Sequence, residues 1–171
     1  NLLDVSMEDL HVMPKDLYDN KMDKIQAKTK GKLIIKEYPT ASAHSGHFRA
    51  LLNELSLKKS FKPDAIFIDY LNICASSRFK GGNISSYFYI KAIAEELRGL
   101  AVEFDVPIFS ATQTTRTGFV STDIGLEDTS ESFGLPATAD FMFALMSNEE
   151  LEGLGQMKVK QLKNRYNDPG I

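Results

Sequence analysis

Ala65-Ile66-Phe67-Ile68-Asp69-Tyr70-Leu71 is the stretch that decides how the chain is read. Four apolar residues run unbroken into a carboxylate. A short, wholly apolar segment of this kind predicts a strand buried on both faces, as in parallel sheets. The flanking sequence extends the pattern. After a loop rich in Ser, Gly and basic residues (75–86), the stretch from Tyr87 to about Phe104 predicts an amphipathic helix. Ile93, Leu97, Leu100, Ala101 and Phe104 share its apolar face, and Lys91, Glu95, Glu96 and Arg98 fall largely elsewhere. Val106-Pro-Ile-Phe-Ser-Ala-Thr112 predicts a second buried strand and Ala139–Met146 a third. The link from Met146 to Gln156 is too short for a helical crossover, so Met157–Leu162 is expected to return antiparallel. Strands alternating with helices predict an α/β fold: a mostly parallel sheet with helices on both faces and an antiparallel C-terminal strand.

Upstream, Lys32–Tyr38 reads as a further strand ended by Pro39, and His47–Leu57 as a helix broken by the polar run to Pro63. Residues 1–30 are polar and helix-prone. Ser6 with Asp9 resembles a capping box, and Pro14 suits the first turn of a second helix carrying Leu17, Met22 and Ile25. The expected organisation is a polar helical segment over 1–30 and an α/β core over 31–171, together one domain. The chain starts at Asn1 in what reads as the middle of a helix, so a piece of a longer protein is expected.

Composition narrows the function classes. The 171 residues are 43% hydrophobic and 25% charged, which excludes disorder as the dominant state. A net charge of −3 and a pI near 5.6 exclude a surface that is basic all over, so any nucleic-acid contact must come from a local patch. The single cysteine, Cys74, excludes a disulfide scaffold and a zinc ribbon. Ala139–Met146 is the longest nearly unbroken apolar run, far short of a bilayer span. Asp4, Glu8 and Asp9 near the start are unlike a signal peptide. A soluble protein of a reducing compartment is expected, with no membrane association. His44 and His47 could share a helix face, but no carboxylate cluster accompanies them, so they read as flanking a helix start rather than holding a metal.

In parallel α/β sheets, ligands bind at the carboxyl ends of the strands, which directs attention to Asp69 and Gln113. A carboxylate at a buried strand tip suits a Mg²⁺ that keeps its waters and bridges to nucleotide phosphate, the Walker B pattern. By itself the pattern is weak, since four apolar residues and an Asp recur in many α/β proteins where the Asp merely caps a loop. Gln113 could contact a γ-phosphate or orient a water without adding charge, or simply open a loop. Lys163 and Arg165, two apart on a predicted strand, would point to one face and present two cations together. Such a pair could stabilise a transferring phosphoryl group, or be an ordinary solvated basic edge.

Taken in order, Ile66-Phe-Ile-Asp69-Tyr-Leu71, Thr112-Gln113-Thr-Thr-Arg116, Asp128-Thr-Ser-Glu131-Ser132, Ala139-Asp140 and Lys163-Asn-Arg165 resemble the motifs of the RecA-like motor domain of DnaB-type hexameric replicative helicases. The texture of Leu51–Asn53, Lys91–Val102 and Leu135–Phe141 is most similar to the primosomal helicases of T-even-like tailed phages. The resemblance runs from Asn1 to about Asp168. It implies a RecA-like P-loop NTPase core, incomplete at its N-terminus, in a parent that uses ATP and Mg²⁺. Asp69, with Tyr70 beside it, would lie at the Mg²⁺–nucleotide site. Gln113 would sense the γ-phosphate, and Lys163 and Arg165 would act in trans on a neighbouring subunit's ATP. Arg78, Lys80, Gly81, Gly82 and Asn83, then Arg116, Ser130 and Glu131, would face single-stranded DNA in a hexameric ring. A primase and a helicase loader are implied partners, and the cytoplasm of a bacterial host the implied compartment.

Departures from the family pattern matter as much. No Gly-x-x-x-x-Gly-Lys-Ser/Thr occurs in the chain, and the family's catalytic glutamate falls before Asn1. The fragment alone is therefore expected to be inactive, with no nucleotide bound. Ser130 replaces the family's usual arginine. Phe133 stands where many bacterial relatives carry glycine. Two other readings remain: a RecA-like scaffold or binding module that has lost catalysis, and a RecA-type recombinase ATPase.

Overall fold

The structure, a computed structural model, describes residues 3–79, 84–114, 124–128 and 134–167. The chain divides into two units, Asn1–Glu37 and Tyr38–Ile171. In the first, helices α1 (Met7–Val12) and α2 (Lys15–Lys28) bury no residue. Ser6 caps α1: its Oγ accepts from the Asp9 amide at 2.9 Å and donates to Asp9 Oδ2 at 2.7 Å. Asp4 is left-handed (φ 52°) and α1 begins only after the Ser6 cap, while Asn1, where a helix is expected, lies outside the described residues. The strand expected at Lys32–Tyr38 does not form. No strand among the described residues pairs with it, and Leu33 and Ile35 are each 83% exposed.

The second unit carries α3 (Ser45–Lys59), β1 (Ile66–Ile68), α4 (Ser86–Phe104), β2 (Ile108–Ser110), α5 (Gly134–Thr138), β3 (Phe141–Met146), α6 (Glu149–Gly153) and β4 (Lys158–Asn164). Short 3₁₀ turns lie at Leu71–Ile73 and Leu126–Asp128. β1 and β2 pair in parallel, Ile66 opposite Ile108 and Ile68 opposite Ser110. β4 returns antiparallel to β3, as expected from the short link, from Met146 opposite Lys158 to Phe141 opposite Asn164, with an irregularity at Met142/Phe143.

The core is built on α4. Ile93 and Leu100 are essentially inaccessible, and Ile93 with Ile90, Ala94 and Leu97 meets Leu71, Cys74 and Leu135. At Gly134 a Cβ would lie 3.1 Å from Lys91 Cβ and 3.2 Å from the Tyr87 ring, so the missing side chain lets α5 close onto α4. Arg49 of α3 grips Glu103 of α4 through a bidentate surface pair at 2.7 and 2.8 Å. His44 and His47 do flank a helix start: His44 Nδ1 accepts from the Gly46 amide and His47 Nδ1 from the His44 amide, at 3.0 and 3.2 Å.

Two expectations about burial are corrected. The strands are not buried on both faces. Phe67 is 75% exposed and Phe109 53%, with their rings stacked 5.0 Å apart, and Phe141, Phe143 and Leu145 also face outward. The second is Glu96, which is not on a solvated face of α4 but is 9% exposed. Among the described residues, no helix is long and apolar enough to cross a membrane.

Candidate functional site at the strand ends

Because β1 and β2 are parallel and in register, they end side by side. Their trailing loops are cross-linked. Ser110 Oγ donates to the Ile68 carbonyl at 2.8 Å, the Leu71 amide to the Ala111 carbonyl at 3.2 Å, and Thr112 Oγ1 to Asn72 Oδ1 at 2.8 Å. This stitching sets Asp69, Tyr70 and Gln113 at one end of the ladder. Gln113 Nε2 reaches the Tyr70 hydroxyl at 3.5 Å, a long contact, and the Asp69–Tyr70 peptide is cis.

Asp69 is exposed. Among the described residues, no group of three or more His, Cys, Asp or Glu side chains could cage a metal. A lone exposed carboxylate nevertheless fits Mg²⁺ that keeps its waters and takes its remaining ligands from phosphate. The bound ion would supply charge stabilisation at the phosphate oxygens.

The second pair of sequence candidates comes together around one carboxylate. Lys163 lies opposite Met142 in the β3–β4 ladder, and its Nζ donates to the carbonyls of Pro136 and Ala137 at 2.5 and 3.4 Å. Arg165 lies just past β4 rather than on it. Its Nη1 donates to Asp140 Oδ1 and its amide to the Asp140 carbonyl, both at 2.9 Å. Arg98 of α4 joins them, donating to Asp140 Oδ1 at 2.7 Å and to the Thr138 carbonyl at 2.9 Å. The two cations therefore do not form a free basic edge; they turn onto the end of α5 and Asp140. Burial would raise the Asp140 pKa, but bonding and charge from Arg98, then the charge and bond of Arg165, hold it below its ordinary value. Burial, then the Arg165 charge, lowers the pKa of Lys163. Sequence reasoning missed Arg98, counted only as part of a polar face, and gave Asp140 no role beyond its motif. The signal available was Asp140 standing next to the strand that pairs with the Lys163 strand.

Of the expected DNA-facing residues, Arg78 is described. Its Nη1 pairs with Glu95 Oε2 at 2.5 Å, beside an open groove of about 520 Å³ lined by Phe79, Ile84, Phe88 and Lys91. Lys80, Gly81, Gly82, Asn83, Arg116, Ser130 and Glu131 lie outside the described residues.

Comparison with known proteins follows the same lines. The chain is 48% identical, over 98% of its length, to the DnaB-like replicative helicase of Enterobacteria phage T4. The resemblance to DnaB-type replicative helicases is thereby shown. The chain spans 36% of that helicase's length. Its fold matches a solved ATPase domain with a TM-score of 0.77, at 17% identity, over 98% of this chain and 61% of that one. A solved DnaB-like replicative helicase, described with its interactions with primase, matches with a TM-score of 0.70 at 19% identity, over 90% of this chain and 37% of that one. The α/β fold is thus RecA-like, as in these helicase ATPase domains. No family model matches the chain.

Proposed function

We propose that the chain is the back part of an ATP-dependent DNA helicase motor that moves along single-stranded DNA within a DnaB-type replicative helicase. The observation that carries this reading is the end-to-end 48% identity to the phage T4 helicase. The site geometry supports it: Asp69, Tyr70 and Gln113 converge at the β1–β2 end, where a nucleotide would lie in such folds.

In this reading Asp69 helps hold Mg²⁺ through water, and Gln113, in contact with Tyr70, senses the γ-phosphate. Lys163 and Arg165 act across a subunit boundary, as cations stabilising charge on the transferring phosphoryl group of the neighbour's ATP. Arg78, Lys80, Gly81, Gly82 and Asn83, with Arg116, Ser130 and Glu131, face the DNA strand. The parent assembles as a hexameric ring in the cytoplasm of a bacterial host and works with primase and a loader. The open outer faces of both ladders, with Phe67 and Phe109 stacked in solvent, support a longer parent whose further segments cover them. With no phosphate-cradling Gly-x-x-x-x-Gly-Lys-Ser/Thr in its sequence, the 171-residue chain alone does not turn over ATP.

The test is ATP hydrolysis by the full-length parent with and without single-stranded DNA. DNA should stimulate turnover. Arg165→Ala should abolish it while leaving nucleotide binding largely intact. A fully active Arg165→Ala parent would remove the trans role, and a parent indifferent to DNA would remove the helicase reading.

A further inference from the structure

Glu96 is a buried carboxylate whose bonding partners are all neutral. Ser45 Oγ donates to its Oε2 at 2.7 Å, Ser76 Oγ to Oε1 at 2.6 Å and Ser77 Oγ to Oε2 at 2.7 Å. The Ser77 amide bonds both oxygens at 3.0 Å, and the Arg78 amide approaches Oε1 at 3.4 Å. Ser45 and Ser76 are themselves buried. A charge removed from water is retained only where donors replace its hydration, and here hydroxyls and amides do so without a cation.

These bonds converge on one piece of backbone. The Ala75 amide donates to the Ala43 carbonyl at 2.7 Å and the Ser76 amide to the Tyr89 hydroxyl at 3.1 Å. The Ser77 amide goes to Glu96, and the Arg78 amide to Ser76 Oγ at 3.2 Å, with Glu96 Oε1 farther at 3.4 Å. Four successive amides at the root of the loop after β1 are thus fixed, that of Ser77 by a side chain from the middle of α4 and that of Arg78 chiefly by the serine this side chain holds.

We propose that Glu96 is the positioning residue of that loop: its carboxylate clamps the Ser76–Ser77 backbone against α4 and so sets how Arg78 is presented to single-stranded DNA. This rests on the reading of the loop as a DNA contact. Gln is the informative replacement. It keeps the shape but turns one acceptor into a donor, and because the Ser77 amide bonds both oxygens, either orientation sets donor against donor.

The experiment uses the full-length parent and an oligo(dT) probe. Glu96→Gln should weaken DNA binding about tenfold or more and abolish DNA stimulation of ATP turnover, with DNA-free turnover within about twofold of the unsubstituted protein. Exchange of the Ser77 and Arg78 amides should accelerate about tenfold. A merely structural role would lower DNA-free and DNA-stimulated turnover together, and that result overturns the proposal. So does unchanged DNA affinity in Glu96→Gln when Lys80→Ala weakens binding, because the loop then binds DNA without the clamp. If Lys80→Ala also leaves affinity unchanged, the DNA reading of the loop fails and the proposal falls with it. Should Glu96→Gln not fold, Ser77→Ala decides: it removes one donor and should weaken DNA binding about threefold, and unchanged binding overturns the clamp.

Discussion

Glu96 carries its charge inside the fold, and its titration should be visible in stability. Burial alone would raise its pKa; bonds from Ser76, Ser77 and Ser45 overcome that and bring it from 4.5 to about 2. A depressed carboxylate stabilises the folded state fully above its unfolded pKa. That stabilisation is lost as pH falls from about 4.5 toward 2. The shift corresponds to about 3 kcal/mol. Urea unfolding of the chain between about pH 6 and 2.5 should lose stability steeply, and Glu96→Gln should flatten the slope; identical slopes would mean that the carboxylate is not clamped. The strand-end placement of Asp69 and Gln113 was legible in the sequence because each directly follows a stretch that reads as a short strand. Glu96 was not, although it sits four residues after Ala92 and three after Ile93 on the buried arc of α4. A helical wheel places it on that arc but cannot supply the three serines, two of them in the loop after β1 and one at the start of α3, that make the position tolerable.

At the scale of elements, α4 was read from periodicity to within a residue at its N-terminal end, since nineteen residues give a 3.6-residue period room to show. The strands came out shorter than read, three residues each in β1 and β2, because apolar texture marks burial while only hydrogen-bonded pairing makes a ladder. Lys32–Tyr38 has the texture but pairs with no strand among the described residues. Two substitutions test how α4 organises the unit. Leu100→Ala removes a fully buried side chain and should cost about 2–5 kcal/mol in chemical unfolding. Gly134→Val would drive a side chain into Lys91 and Tyr87, with α5 lifting from α4 at about 1–3 kcal/mol. A Gly134→Val chain as stable as the parent sequence would show that α5 does not need this close approach.

For the whole molecule, the decisive quantity is what the chain does alone against what its parent does. The isolated 171 residues should show no ATP turnover above background, since positioning and charge stabilisation of phosphates supply nearly all of such catalysis. Measurable, Mg²⁺-dependent hydrolysis by the purified chain would contradict this. DNA binding by the parent should fall at least about tenfold between roughly 50 and 200 mM salt, as backbone-phosphate contacts release counterions. An affinity flat in salt would place the DNA contacts elsewhere than on charged loops.

The sequence by itself determined the alternation of strand and helix, the antiparallel return of the last strand, the strand-end positions of Asp69 and Gln113, and the DnaB-type resemblance. All of these are written in local period, link length and residue order. Only the tertiary structure decided that Glu96 is buried among serines, that Lys163 and Arg165 fold onto α5 and Asp140 with Arg98, and that Phe67 and Phe109 face outward. The physical reason is common to the three. Burial of a charge and the partner of a cation depend on residues about 20 to 50 positions away in the chain, brought near only when α3, α4, β3 and β4 pack, and whether a sheet face is covered depends on packing that apolar texture does not record.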